Sequence, residues 1–185
     1  MGKIILVTGG ARSGKSAFAE RLALKIGDGR AAYIATAQAF DDEMTYRIRI
    51  HRERRGDNWK TLEAPFNAEE KISVAAQMFS VILFDCVTIY ISNFLCASDS
   101  DDEAELYKNL RGLIEKLIDA ALNSNATIIF VSNEVGGGIV PENKLARRFR
   151  DLAGLANQML AANADKVFLT VAGVAVDIKK LEEVL

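Results

Sequence analysis

The stretch GGARSGKS, residues Gly9, Gly10, Ala11, Arg12, Ser13, Gly14, Lys15 and Ser16, has the spacing G-x-x-x-x-G-K-[ST]. Its glycines allow a turn tight enough for successive backbone N–H groups to face one phosphate. Lys15 can then reach the outer phosphates of a nucleotide, and the Ser16 hydroxyl can bind Mg²⁺. The apolar run KIILVT at Lys3–Thr8 precedes the loop, and a helix-period segment, Lys15–Ile26, follows it. Strand, loop and helix are therefore in register for a nucleoside triphosphate. Such a loop works with a carboxylate at the end of a neighbouring strand that organises the magnesium shell, and Asp85 ends the run VILFD. Ser16 and Asp85 are thus the predicted Mg²⁺ residues. The loop by itself does not choose among kinases, switches and motors.

A second constellation lies in DDEMTYRIRIHRERRGDNW, Asp41 to Trp59. With Asp41 and Asp42 capping a helix, Arg47, His51 and Arg55 stand at i, i+4 and i+8 on one stripe. Arg49, Arg52 and Arg54 add charge, so five arginines and the single histidine of the chain fall within residues 47–55. Like charges at helical spacing repel, and a bound anion relieves that repulsion. Three readings follow: a solvated basic face, a nucleic-acid patch, or a nucleotide site in which a histidine acts on phosphorus. The nucleic-acid reading lacks interleaved aromatic residues for stacking, and the chain carries a formal charge of −2, so no nucleic-acid partner is expected. For the third reading, a neutral imidazole nitrogen is a competent nucleophile, and neighbouring guanidinium groups disfavour the imidazolium that could not attack.

These residues need a scaffold. With 185 residues, half of them apolar, the chain can bury one good core, and a single domain over residues 1–185 is expected. Apolar runs recur at Lys3–Thr8, Ala31–Thr36, Val81–Cys86, Thr127–Asn133 and Lys166–Ala172. Continuous rather than alternating apolar character predicts strands covered on both faces, hence a three-layer α/β fold of the P-loop NTPase type around a mostly parallel sheet. The tail VAVDIKKLEEVL reads as a last, antiparallel strand at the sheet edge. Further helices are predicted over Asp101–Leu122, with Leu106, Leu110, Leu113, Leu117 and Ala121 inward, and over Pro141–Ala162, with Pro141 in the first turn. The acidic lead SDSDDEAE reads as a solvated cap that complements the helix dipole.

Cys86 and Cys96 lack the spacing of a metal site and read as packing residues in a reducing compartment. Gly9 and Gly10 end the first apolar run before a signal segment could form, and no run reaches the ~18 residues of a membrane span. A cytoplasmic protein is the expectation.

Across nearly its whole length the sequence resembles the bifunctional adenosylcobinamide kinase/adenosylcobinamide-phosphate guanylyltransferases of cobalamin biosynthesis. LVTGGARSGKS, YIATAQAFDDEMTYRIRIHRERR, WKTLEAP, DCVTIYISN, VSNEVGGGIVPENKLARRFRDLAGLANQMLA and VAGVAVDIK all look like that family's segments, in order. The resemblance implies phosphorylation of adenosylcobinamide by ATP or GTP, followed by transfer of GMP from GTP through a histidine–GMP intermediate. His51 matches the guanylylated histidine. Some members carry a second histidine just before it, where this chain has Ile50. Ala35, Thr36 and Ala37, with Arg52, Glu53, Arg54 and Arg55, match guanine-nucleotide contacts, while Glu63 and Asp85 match nucleotide-site carboxylates. A homotrimer with sites shared at subunit interfaces is implied as well. Read from the residues alone, a monofunctional P-loop small-molecule kinase and a GTP-binding switch stay open, although Ser132–Val135, SNEV, is not the guanine-reading N-K-x-D of a switch.

Overall fold

Along β1 (Lys3–Gly9), Ile4 and Leu6 join the core on one face of the sheet and Ile5 and Val7 the core on the other, all four buried. A strand covered on both sides has no cause to alternate apolar with polar residues, so its sequence reads as a run. The same holds for β2 (Ala31–Ala35), β4 (Val81–Asp85) and β5 (Thr127–Asn133). The computed structural model describes residues 1–38, Tyr46 and 56–183. It joins these strands with β3 (Trp59–Glu63), β6 (Lys166–Val171) and β7 (Val174–Asp177) in one seven-stranded sheet of order β3-β2-β4-β5-β1-β6-β7. Every neighbouring pair is parallel except β6 with β7, the antiparallel edge expected from the tail.

Helix α1 (Lys15–Ile26) buries Ala19 and Ala23 against Val7, Leu83 and Ile129, with Phe18 and Leu22 beside them. The opposite face carries α2 (Ala68–Ala75), α3 (Val87–Ala97), α4 (Glu103–Leu122) and α5 (Lys144–Ala162). This is the three-layer α/β fold read from the sequence. On α4 the inward stripe is Leu106, Leu110, Ile114, Leu117, Ile118 and Ala121, and each large side chain stabilises the packing by roughly 1.5–3 kcal/mol. Asp102 caps α4 by accepting from Ala104 N at 2.9 Å, which confirms the cap reading of the acidic lead. That lead also ties α4 to α5: Arg148 donates to Glu103 at 2.7 Å and to Asp101 at 3.1 Å.

Several expectations need correction. Helix α5 starts at Lys144, not Pro141, because Asn143 takes the cap position and accepts from Ala146 N at 3.0 Å. Arg147 Nη1 then donates to the carbonyls of Pro141 at 3.0 Å and Glu142 at 2.5 Å, holding both residues outside the helix. Strand β3 had no apolar run to announce it, since it is an edge strand with exposed Lys60 and Glu63. Cys86 is buried as expected, but Cys96 is exposed near the end of α3, next to buried Leu95. Among the described residues no helix is long and apolar enough to cross a membrane.

Candidate active site

The phosphate loop leaves β1 at Gly9 and enters α1 at Lys15. Arg12 has φ 58 and Gly14 has φ 92, and the helix begins directly after them at Lys15. Left-handed residues within a tight turn aim backbone N–H groups to one side, the geometry of an anion-binding nest. For Arg12 the left-handed conformation costs about 1–2 kcal/mol, which only a fixed surrounding can hold. That surrounding is visible. Ser13 N donates to Gly10 O at 3.2 Å, Gly173 N donates to Ser13 O at 2.8 Å, and Ser13 Oγ lies 3.1 Å from Thr170 Oγ1. Thr170 Oγ1 donates in turn to Thr8 O at 2.9 Å. The β6–β7 hairpin, whose Ala172 and Gly173 both have positive φ, therefore braces the loop from beside it. Side chains are excluded there: a Cβ on Gly9 would strike the Thr170 carbonyl, and one on Gly14 would lie 3.1 Å from Gly173 Cα.

Gly10, Ala11, Arg12 and Gly14 are exposed, Ser13 is buried, and Lys15 and Ser16 are half-buried. Lys15 Nζ donates to Gly10 O at 3.2 Å, across the mouth of the loop. Burial lowers its pKa, while the charges of Cys86 and Asp85 oppose that shift. Asp85 stands at the end of β4, and β5 lies between β4 and β1. The expectation of a neighbouring strand is corrected to the strand one further away; α1 packs across β1, β5 and β4.

In register, Ala35 pairs with Glu63 on one side and Asp85 on the other. Three predicted nucleotide residues thus form one row across β3, β2 and β4, at the carboxyl ends of parallel strands where open α/β sheets bind ligands. Asp85 Oδ2 accepts from Tyr33 OH at 2.9 Å. Just behind the row, buried Thr36 uses its hydroxyl twice, accepting from Cys86 N and donating to Cys86 O, both at 2.9 Å. Ala37 is half-buried beside it. Burial, and after it the Asp85 carboxylate, push the Cys86 thiol up to about 11. It is therefore a neutral packing group, 3.2 Å from Thr88 Oγ1. His51, Arg52, Glu53, Arg54 and Arg55 lie outside the described residues, as do Arg47 and Arg49.

Sequence reasoning did not anticipate the brace from the hairpin, the Thr36 lock on Cys86, or the polar link from Thr88 to Asn133 Nδ2 at 3.3 Å and from Asn133 O to Asn157 Nδ2 at 3.1 Å. The available signal was polar residues inside apolar segments: Asn93 within VTIYISNFL and Asn157 within AGLANQML.

Among the described residues no group of three or more His, Cys, Asp or Glu is placed to hold a metal ion. The Ser16 hydroxyl and the Asp85 carboxylate, read from the sequence as the Mg²⁺ residues, would be a sparse set of hard oxygen donors, chemistry that fits an ion which keeps several waters and completes its shell with substrate phosphates.

The family described as cobinamide kinase / cobinamide phosphate guanyltransferase matches residues 5–178. The chain is 44% identical over 183 residues to the bifunctional adenosylcobalamin biosynthesis protein CobU of Escherichia coli (strain K12), covering 95% of this chain and 99% of that protein. It is also 44% identical over 183 residues to the CobU protein of Salmonella typhimurium, with the same coverage. To the bifunctional adenosylcobalamin biosynthesis protein CobP of Pseudomonas aeruginosa it is 41% identical over 174 residues, 94% of this chain and 96% of that one. A match that spans the phosphate loop, the Ala35–Asp85 row and the bracing hairpin covers the whole site, and the chain belongs to the cobinamide kinase / cobinamide phosphate guanyltransferase family.

Proposed function

We propose that this chain is a bifunctional enzyme of cobalamin nucleotide-loop assembly. It phosphorylates adenosylcobinamide with ATP or GTP and then transfers GMP from GTP, through a histidine–GMP phosphoramidate, to give adenosylcobinamide-GDP. The observation that carries this reading is a strand–loop–helix with Arg12 and Gly14 at positive φ and Lys15 Nζ bonded across its mouth to Gly10 O, in a chain belonging to a family named for both activities.

In the first reaction the nest and Lys15 hold the outer phosphates of the donor while a hydroxyl of adenosylcobinamide attacks the γ-phosphorus. The bond from γ-phosphorus to the bridging oxygen breaks, and the nucleoside diphosphate leaves. Ser16 and Asp85 would hold Mg²⁺, which supplies charge neutralisation on the phosphate oxygens. In the second reaction a neutral His51 nitrogen attacks the α-phosphorus of GTP. The nitrogen–phosphorus bond forms, pyrophosphate leaves, and the arginines of the 47–55 stretch offset charge developing on the phosphoryl oxygens. A phosphate oxygen of the phosphorylated cobinamide then displaces the histidine, which completes the pyrophosphate linkage of the product. Ala35, Ala37 and Glu63 are assigned to the guanine nucleotide, while Thr36, buried and bonded to Cys86 and Asn93, sets the chain between Ala35 and Ala37 rather than touching it.

A homotrimer is part of the same proposal. Exposed Val171, Val174 and Val176 on the edge hairpin, with Ile139 and Val140, provide apolar surface of the kind that subunits cover.

The test is product analysis with adenosylcobinamide, ATP, GTP and Mg²⁺. The wild type is expected to form adenosylcobinamide phosphate and then adenosylcobinamide-GDP, and His51→Ala is expected to stop at the phosphate. Formation of the GDP product by His51→Ala at the wild-type rate would refute the assignment.

A further inference from the structure

Asn93 lies on α3 among Tyr90, Ile91 and Leu95 and is 6% exposed. An amide left unpaired in such a place costs about 1–3 kcal/mol, so the destination of its hydrogens carries information. Both leave the helix. Nδ2 donates to Thr36 O at 2.8 Å and to Pro65 O at 3.1 Å. Those two carbonyls follow the ends of adjacent strands: Thr36 follows β2, Pro65 follows β3, and Ala64 N donates to Ala35 O at 2.8 Å between them. Thr36, held through its carbonyl, keeps its hydroxyl free to lock residue 86 by both backbone groups, immediately beside Asp85. One buried amide therefore sets the spacing of the chain at three points of the row formed by Glu63, Ala35 and Asp85.

We propose that Asn93 is a positioning residue for the guanine nucleotide. It acts through Thr36, aligning Ala35–Ala37 against Asp85 without touching the nucleotide. This rests on the reading of the site given under the proposed function. The phosphate loop is braced separately, by Thr170 and Gly173, so loss of Asn93 weakens guanylyl transfer more than phosphorylation, which shares only Asp85 with the row.

The test uses Asn93→Asp, which keeps the size but turns an acceptor toward two carbonyls, and Asn93→Leu, which removes the donors without adding charge. Each is compared with wild type for covalent labelling by GTP carrying a labelled α-phosphate, for ATP-driven phosphorylation of adenosylcobinamide, and for melting temperature. The expected result is a rise of about tenfold in the GTP concentration needed for labelling, with the maximal labelling rate little changed. ATP-driven phosphorylation is expected to stay within about threefold of wild type. Equal loss of both activities, or of neither, overturns the inference. So does failure of both variants to fold, since the amide would then support the core rather than the site. A wild type that takes no α-label refutes the underlying reading itself, whereas a labelled wild type with equally labelled variants refutes only the role of Asn93.

Discussion

The phosphate loop takes its shape from backbone conformations that its own residues permit, with Arg12 and Gly14 at positive φ and Ser13 pinned by backbone bonds. The facing row at β2 and β4 takes its shape from side chains sent in by several elements: Tyr33 on β2, Thr36 after it, Thr88 and Asn93 on α3. The first kind of site fails when a Cβ is added, and the second when a donor is removed. On the function proposed above, phosphate binding and nucleotide placement should therefore respond to different mutations, with Lys15 and Asp85 serving both.

The largest expected effect lies where the two regions meet. Lys15→Ala should lower both phosphoryl and guanylyl transfer by on the order of a hundredfold or more, because one cation serves the phosphates in each. Steady-state rates of the two reactions check it, and loss of only one would break the claim of a shared phosphate site. Gly14→Ala sharpens the comparison from the backbone side. Its φ of 92 and the 3.1 Å approach to Gly173 predict a loss of about 1–2 kcal/mol in denaturant unfolding, together with weaker binding of ATP and GTP alike. Unchanged nucleotide affinity would show that the loop does not depend on this conformation.

The smallest effect concerns the two cysteines. Exposed Cys96 should react with an alkylating reagent at neutral pH, while buried Cys86 should not. Folding raises the Cys86 pKa from 9.0 to about 11, so the unfolded chain releases this proton first as pH rises. Its contribution to stability is complete below pH 9.0 and is lost as pH climbs to about 11. Unfolding free energies compared with those of Cys86→Ala across that window isolate the slope, and identical pH profiles would contradict the burial assigned to this thiol.

The same contrast explains what could be read from the residues. The phosphate loop was legible because its chemistry is contiguous: strand, glycines, lysine and helix follow one another between Lys3 and Ile26. Asp85 was legible as the carboxylate closing an apolar run, yet its strand was placed one position too near, because strand order depends on crossovers that composition does not encode. Strand β3 was missed since an edge strand buries too little to show a run. The Asn93 clamp was out of reach because an amide in an apolar helix declares only that it needs partners, and these stand 57 and 28 residues away. Proline suits a first turn, which points the start of α5 to Pro141, whereas the bond from Ala146 N to Asn143 Oδ1 places the cap at Asn143.

The central claim is that one chain joins a phosphate-loop kinase to a covalent guanylyltransferase at His51. The most direct measurement is to incubate the protein with Mg²⁺ and GTP labelled at either the α- or the γ-phosphate, then count label on the denatured chain. Acid-labile label from the α-position only, absent in His51→Ala, is the predicted result. No label from the α-position, or α-label that survives His51→Ala, would contradict it.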